Sequence, residues 1–161
     1  MITKTKSVYI AIIFSILFIS TSNARTVKAE IVSGGEEHSM VLDQYGRVWT
    51  CGGSTLGRVG DYRKFYPVLK GEQSSDSNYL ENIYGIGAGW QHSLTVGIDG
   101  SVWSYGDNAY GELGNNNAPT DSDYPVRVHA GQQNPSSPNS NLCNITQVAS
   151  GRSRKYSYLK S

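Results

Sequence analysis

Residues 89–114 read GWQHSLTVGIDGSVWSYGDNAYGELG, and residues 35–60 read GEEHSMVLDQYGRVWTCGGSTLGRVG. The two stretches align without a gap, 54 residues apart, and nine of their 26 positions are identical. The identities include Gly35/Gly89, His38/His92, Gly46/Gly100, Trp49/Trp103 and Gly52/Gly106. Chance poorly explains matches that fall on Trp, His and Gly, and self-similarity at a fixed period marks a repeat architecture. The likeness continues outward. Tyr66-Pro67-Val68 recurs as Tyr124-Pro125-Val126, and Leu80-Glu81-Asn82-Ile83 as Leu142-Cys143-Asn144-Ile145. A third copy begins by Gly151, after which Arg154 stands in the histidine slot and the pattern is lost. The abrupt loss reads as a truncated gene, a shifted frame or a fragment, because a terminal repeat ordinarily carries a cap.

Each copy predicts four short strands. In the second, an apolar segment at 83–86 precedes the alternating HSLTV at 92–96. Asp99-Gly100 marks a hairpin turn, since glycine accepts the positive φ of tight turns. The return strand is VWSY at 102–105, and a fourth starts at Pro125, where proline suits a strand start or edge. Four strands in about 54 residues is the signature of a propeller blade. The fold expected is all-β: an incomplete β-propeller of four-stranded blades, preceded by a signal-peptide helix. Blades are expected at about 32–82 and 83–144, with a truncated third from 145, all within a domain spanning 30–161. Trp49 and Trp103 should pack between neighbouring sheets, beside Leu42/Val96 and Val48/Val102, because one blade cannot bury its own faces. Gly35, Gly46, Gly52, Gly89, Gly100 and Gly106 are structural positions of the repeat, as are His38 and His92.

Gly-x-x-His-Ser-Leu, Asp-Gly-x-Val-Trp-Ser-Tyr-Gly and Asn-x-Tyr-Gly-Glu-Leu-Gly closely resemble the repeat of the regulator of chromosome condensation family. The resemblance covers residues 32–151 and is best at 92–114. It implies a ring of seven blades, of which this chain would hold two and the start of a third.

At the N-terminus Lys4 and Lys6 precede the apolar run VYIAIIFSILFI at 8–19, followed by the small residues Ser20, Ser22 and Ala24. This order is that of a secretory signal peptide over 1–24, with cleavage after Ala29 as the alternative. The run is shorter than the roughly 20 apolar residues that span a bilayer, so no stable membrane span is expected after cleavage. Loss of Lys4 and Lys6 turns the formal charge from +1 to −1, which leaves no electrostatic footprint for nucleic acid. Export would place Cys51 and Cys143 in an oxidising compartment. Nothing in the sequence brings the two together, and a bridge is not expected.

The residues that could do chemistry read as structural. Equivalent histidines on adjacent blades lie apart around a ring, so His38 and His92 are expected to hydrogen-bond backbone groups inside their own blades. His129 has no counterpart and is expected at the surface. Asp107 and Glu112 could suggest paired carboxylates, but their counterparts are Gly53 and Arg58. Asp121-Ser122-Asp123 lacks the calcium-loop spacing and its closing Glu. Asn144-Ile145-Thr146 is a glycosylation pattern, yet Asn144 matches Asn82, which carries none. No phosphate loop, nucleophile elbow or zinc spacing occurs. No catalytic residue, cofactor or metal is therefore expected.

What remains is a secreted or envelope-associated binding module for an unidentified protein or glycan, acting through variable loops. Those loops are 61–64, 115–123 and 132–141, and Tyr62, Arg63, Asn115, Asn116, Asn117 and Asp121 are the candidate contact residues. The alternative is nucleotide exchange on a small GTPase, as the family's best-known members perform. Export, the neutral-to-acidic mature chain and the small number of blades argue against it. A lyase or hydrolase would need polar residues converging on a central channel, and no such cluster is visible. Open blade edges invite self-association.

Overall fold

The computed structural model describes residues 29–52, 63–73, 76–131, 134–137, 140–151 and, as backbone, 157–160. The expected signal peptide, Tyr62 and part of the 132–141 loop lie outside them. Two four-stranded antiparallel sheets follow one another along the chain. Sheet 1 holds β1 (Ala29–Gly34), β2 (His38–Asp43), β3 (Val48–Gly52) and β4 (Tyr66–Pro67), in that order. Sheet 2 holds β5 (Ile83–Ala88), β6 (His92–Gly97), β7 (Val102–Gly106) and β8 (Ser122–Arg127). No α-helix occurs among the described residues.

The first three strands keep one register in both blades, but the fourth departs from the sequence match. Trp49 faces Pro67 and Trp103 faces Arg127, so Tyr66-Pro67-Val68 is equivalent to Val126-Arg127-Val128 and not to Tyr124-Pro125-Val126. His38 faces Gly52 and Trp49 faces Val41, as His92 faces Gly106 and Trp103 faces Thr95. Both blades carry the same irregularity in their first strand, between Ala29 and Ile31 and between Ile83 and Gly85. The fourth strands differ most. β4 has two residues, whereas β8 has six and shifts register between Ser104 and Gly106 of its partner. Pro67 and Pro125 lie inside these strands and not at their starts. Each strand is the edge of its sheet, which leaves one row of N–H groups unused and so tolerates proline.

The sheets stack sideways through apolar side chains. Met40, Leu42, Val48, Val68 and Leu80 form one buried cluster with Ile83, Ile86, Ala88, Trp103 and Tyr105 of the next blade. The far face of sheet 2 repeats the arrangement, packing Leu94, Val96, Val102, Val128 and Leu142 with Ile145 and Val148. Hairpin turns lock successive blades: Ile83 N–H donates to Gly46 O, and Ile145 N–H donates to Gly100 O. Gly100 has φ +75°, and a Cβ there would sit 2.9 Å from Asn144 N, so both the turn and the close approach demand glycine. Asn82 and Asn144 share φ 60°. Asparagine tolerates this left-handed conformation, which accounts for its recurrence.

The third copy goes further than its sequence indicates. β9 (Gln147–Ser150) pairs antiparallel with β10 (Ser157–Lys160), where the repeat pattern has already been lost. Cys51 is half-buried, Cys143 is exposed, and both are free thiols. No helix among the described residues is long and apolar enough to cross a membrane.

Candidate functional site

The recurrent residues are framework. The Trp103 indole N–H donates to Ser101 Oγ at 3.0 Å, and that of Trp49 to Asp43 Oδ2 at 2.9 Å. Asp43 also accepts from the Tyr45 and Arg47 amides. Both indoles are thus anchored to the hairpin turn beside them, by side chains at different repeat positions. Trp103 is buried and carries the Arg127 guanidinium 4.2 Å from its ring centroid, a cation–π contact.

His38 departs from expectation. His38 Nε2 lies 2.9 Å from Ser93 Oγ, so its partner is a side chain of the next blade and not its own backbone. Each imidazole lies over the glycine three residues earlier; a Cβ on Gly89 would come within 2.4 Å of His92 Cε1. That close approach gives the Gly-x-x-His spacing its physical reason. Burial, then the charge of His92, lowers the His38 pKa, against a weaker pull from Glu37. Burial likewise lowers that of His92, against Glu112 and Asp107. Both rings are therefore neutral in the fold at neutral pH. The unfolded chain binds these protons more readily, so the stabilisation is complete above about pH 6.5 and is lost as pH falls below it. The melting temperature should drop on acidification from about pH 7 to pH 5. Replacing both histidines with glutamine should flatten that slope, and an unchanged slope would contradict the assignment. His129 is half-buried, its backbone N–H donating to Gly114 O at 2.9 Å, and not at the surface as expected.

In the 107–121 loop the side chain that organises the backbone is Asn108, which is fully buried. Its amide donates to Thr120 O at 2.9 Å and to Asn115 Oδ1 at 3.4 Å, while its carbonyl accepts from Leu113 N–H at 3.1 Å. Asp121 Oδ1 accepts from Asn108 N–H, and Asn115 Oδ1 from Asn117 N–H. Two expected contact residues, Asn115 and Asp121, thus shape the loop. Asn116 and Asn117 are exposed at its tip, and Arg63 is exposed in the turn before β4. Asp107 and Glu112 accept the Ala109 and Tyr110 amides, which makes them loop supports. Among the described residues no three His, Cys, Asp or Glu side chains gather as metal ligands would.

The 115–123 loop runs into a groove of about 670 Å³ between the outer ends of the two sheets. Its walls are Leu69, Lys70, Asn78 and Tyr79 on one side and Ser122, Tyr124 and Pro125 on the other. Tyr79 and Tyr124 are 40% and 53% exposed at its rim. Glu72 ties the two sides together: its backbone N–H donates to Pro125 O, and its side-chain Oε2 accepts from Arg127 N–H. The sequence offers no signal for this groove, because its walls come from loops of unequal length in two different copies.

Comparison with known proteins matches residues 99–153 to the Regulator of chromosome condensation (RCC1) repeat. The X-linked retinitis pigmentosa GTPase regulator homolog of Caenorhabditis elegans is 29% identical over 121 residues, covering 75% of this chain and 8% of its own. The mouse secretion-regulating guanine nucleotide exchange factor is 27% identical over 94 residues, 57% of this chain and 20% of its own. The chain thus spans a small part of these relatives. The crystal structure of Prp20p from Saccharomyces cerevisiae superposes with a TM-score of 0.57 at 20% identity, over 81% of this chain and 31% of that one. Residues 99–153 thus carry a repeat of the regulator of chromosome condensation family, and sheet order and the register of the first three strands are the same in the preceding blade.

Proposed function

We propose that this chain is an exported, non-catalytic binding module, with the groove between its two blades as the seat for a protein segment or glycan. The carrying observation is the pair of exposed tyrosines, Tyr79 and Tyr124, across a groove whose two sides are tied together through Glu72. Tyrosine offers rigid contact area at low entropic cost, and aromatic anchors dominate binding energy at interfaces. Lys70, Asn78 and Ser122 supply polar contacts beside them. Export rests on the order of charge, apolar run and small residues over 1–24.

A printed glycan array and a displayed peptide library, probed with the purified chain, test the reading. Binding should weaken about tenfold for Tyr79→Ala or Tyr124→Ala, equivalent to about 1.4 kcal/mol each. Binders indifferent to both changes, or none at all, would overturn it. The likeness to a guanine nucleotide exchange factor supports a second reading, exchange on a small GTPase. Release of labelled GDP no faster with the chain than without it would eliminate that reading.

A further inference from the structure

Sheet 1 has a face that sheet 2 has already shown how to cover. On sheet 2, Ile86, Thr95, Trp103 and Tyr105 point toward the preceding blade and are 8%, 0%, 2% and 1% exposed. Their counterparts on sheet 1 are Val32, Val41, Trp49 and Cys51. Val32 is 67% exposed and the other three are half-buried. Gly34 completes the contrast. Its counterparts approach the neighbouring blade closely: Ala88 N–H donates to Ser33 Oγ at 2.9 Å, and Ser150 Oγ donates to Gly87 O at 3.0 Å. A Cβ added to Gly34 would meet nothing within 4 Å. The chain therefore carries one half of a sheet–sheet interface whose other half is described in the same molecule.

The occupant can be read from the repeat. What covers Trp103 is the leading face of a repeat sheet, and the chain presents a further such face at its other end. There Val148 packs inward against sheet 2, and Gln147 and Ala149 are exposed on β9. We infer that the exposed face of sheet 1 docks the β9 end of a second copy of this chain, continuing the sideways stack from one molecule to the next. The contact is heterologous, since different surfaces meet, so it closes into a ring or extends according to the rotation per copy. By repetition of the contact between Gly87 and Ser150, Ala149 of one copy meets Gly34 of the other. This inference does not depend on the groove or on what binds there.

Cysteine trapping tests it in a Cys51→Ser, Cys143→Ser background, with circular dichroism confirming each fold. An equal mixture of Gly34→Cys and Ala149→Cys chains should form a disulfide-linked dimer under mild oxidation, and neither variant should do so alone. Adding Val32→Asp to the Gly34→Cys chain should abolish the product, because it places a charge in the contact while altering an exposed position. Cross-linking of Gly34→Cys with itself would mean a face-to-face dimer and overturn the inference. So would a mixture that yields no product, or a chain that sediments as a monomer at all concentrations. That last result is expected if residues preceding β1 cover the face instead.

Discussion

Replacing Trp103 with alanine is expected to cost about 3–5 kcal/mol, a large share of the roughly 5–15 kcal/mol that holds an ordinary domain folded. The ring lies in the centre of the cluster shared by the two sheets, and such a ring buries roughly 150–250 Å². Its loss removes the transfer energy of the indole, opens a cavity between Leu42, Val48 and Ile86, and strands the Arg127 guanidinium that stacks on it. Trp49→Ala, the same change at the same register, should cost much less in dilute solution, since only one side of that ring is covered. Urea unfolding of the two variants separates these expectations. Equal losses would mean that the two rings do not alternate between a covered and an open face.

The second large effect is expected for Asn108→Ala, at about 2–4 kcal/mol. The substitution creates little cavity. It leaves the buried Leu113 N–H without its acceptor, at a cost of about 1–3 kcal/mol, and removes the bonds to Thr120 O and Asn115 that hold the loop closed. The loss should appear in thermal melting as a lower midpoint, accompanied by faster amide exchange at Leu113. If the loop is held by its turns alone, the variant will melt with the parent. Because Asn115 and Asp121 belong to the same network, their alanine variants should perturb the loop before they perturb any ligand contact.

The blades were legible because hairpins and their glycines are local. Asp99-Gly100 closes a turn whose two strands are adjacent in the chain, and the recurrence of Trp49 as Trp103 fixes which sheets are neighbours. Features that span the repeats were not legible. The partner of His38 is a serine 55 residues away, and nothing in a histidine announces a cross-blade bond. Asn108 reads as an ordinary turn residue, because its burial depends on how the chain from 113 to 121 wraps around it. The pairing of β10 with β9 was hidden because backbone hydrogen bonds ask little of side-chain pattern. The groove was hidden for a different reason: Trp49 faces Pro67 whereas Trp103 faces Arg127, so the loop of the second copy is six residues longer and Tyr124 falls out of step with Tyr66.

The account turns on the sideways stack of repeat sheets, and quenching of single-tryptophan proteins tests it most directly. With Trp49 and Trp90 replaced by phenylalanine, Trp103 should emit at short wavelength and resist acrylamide at every protein concentration. With Trp90 and Trp103 replaced instead, Trp49 should be more readily quenched in dilute solution. A Trp103 quenched as freely as an indole in water would contradict the stack.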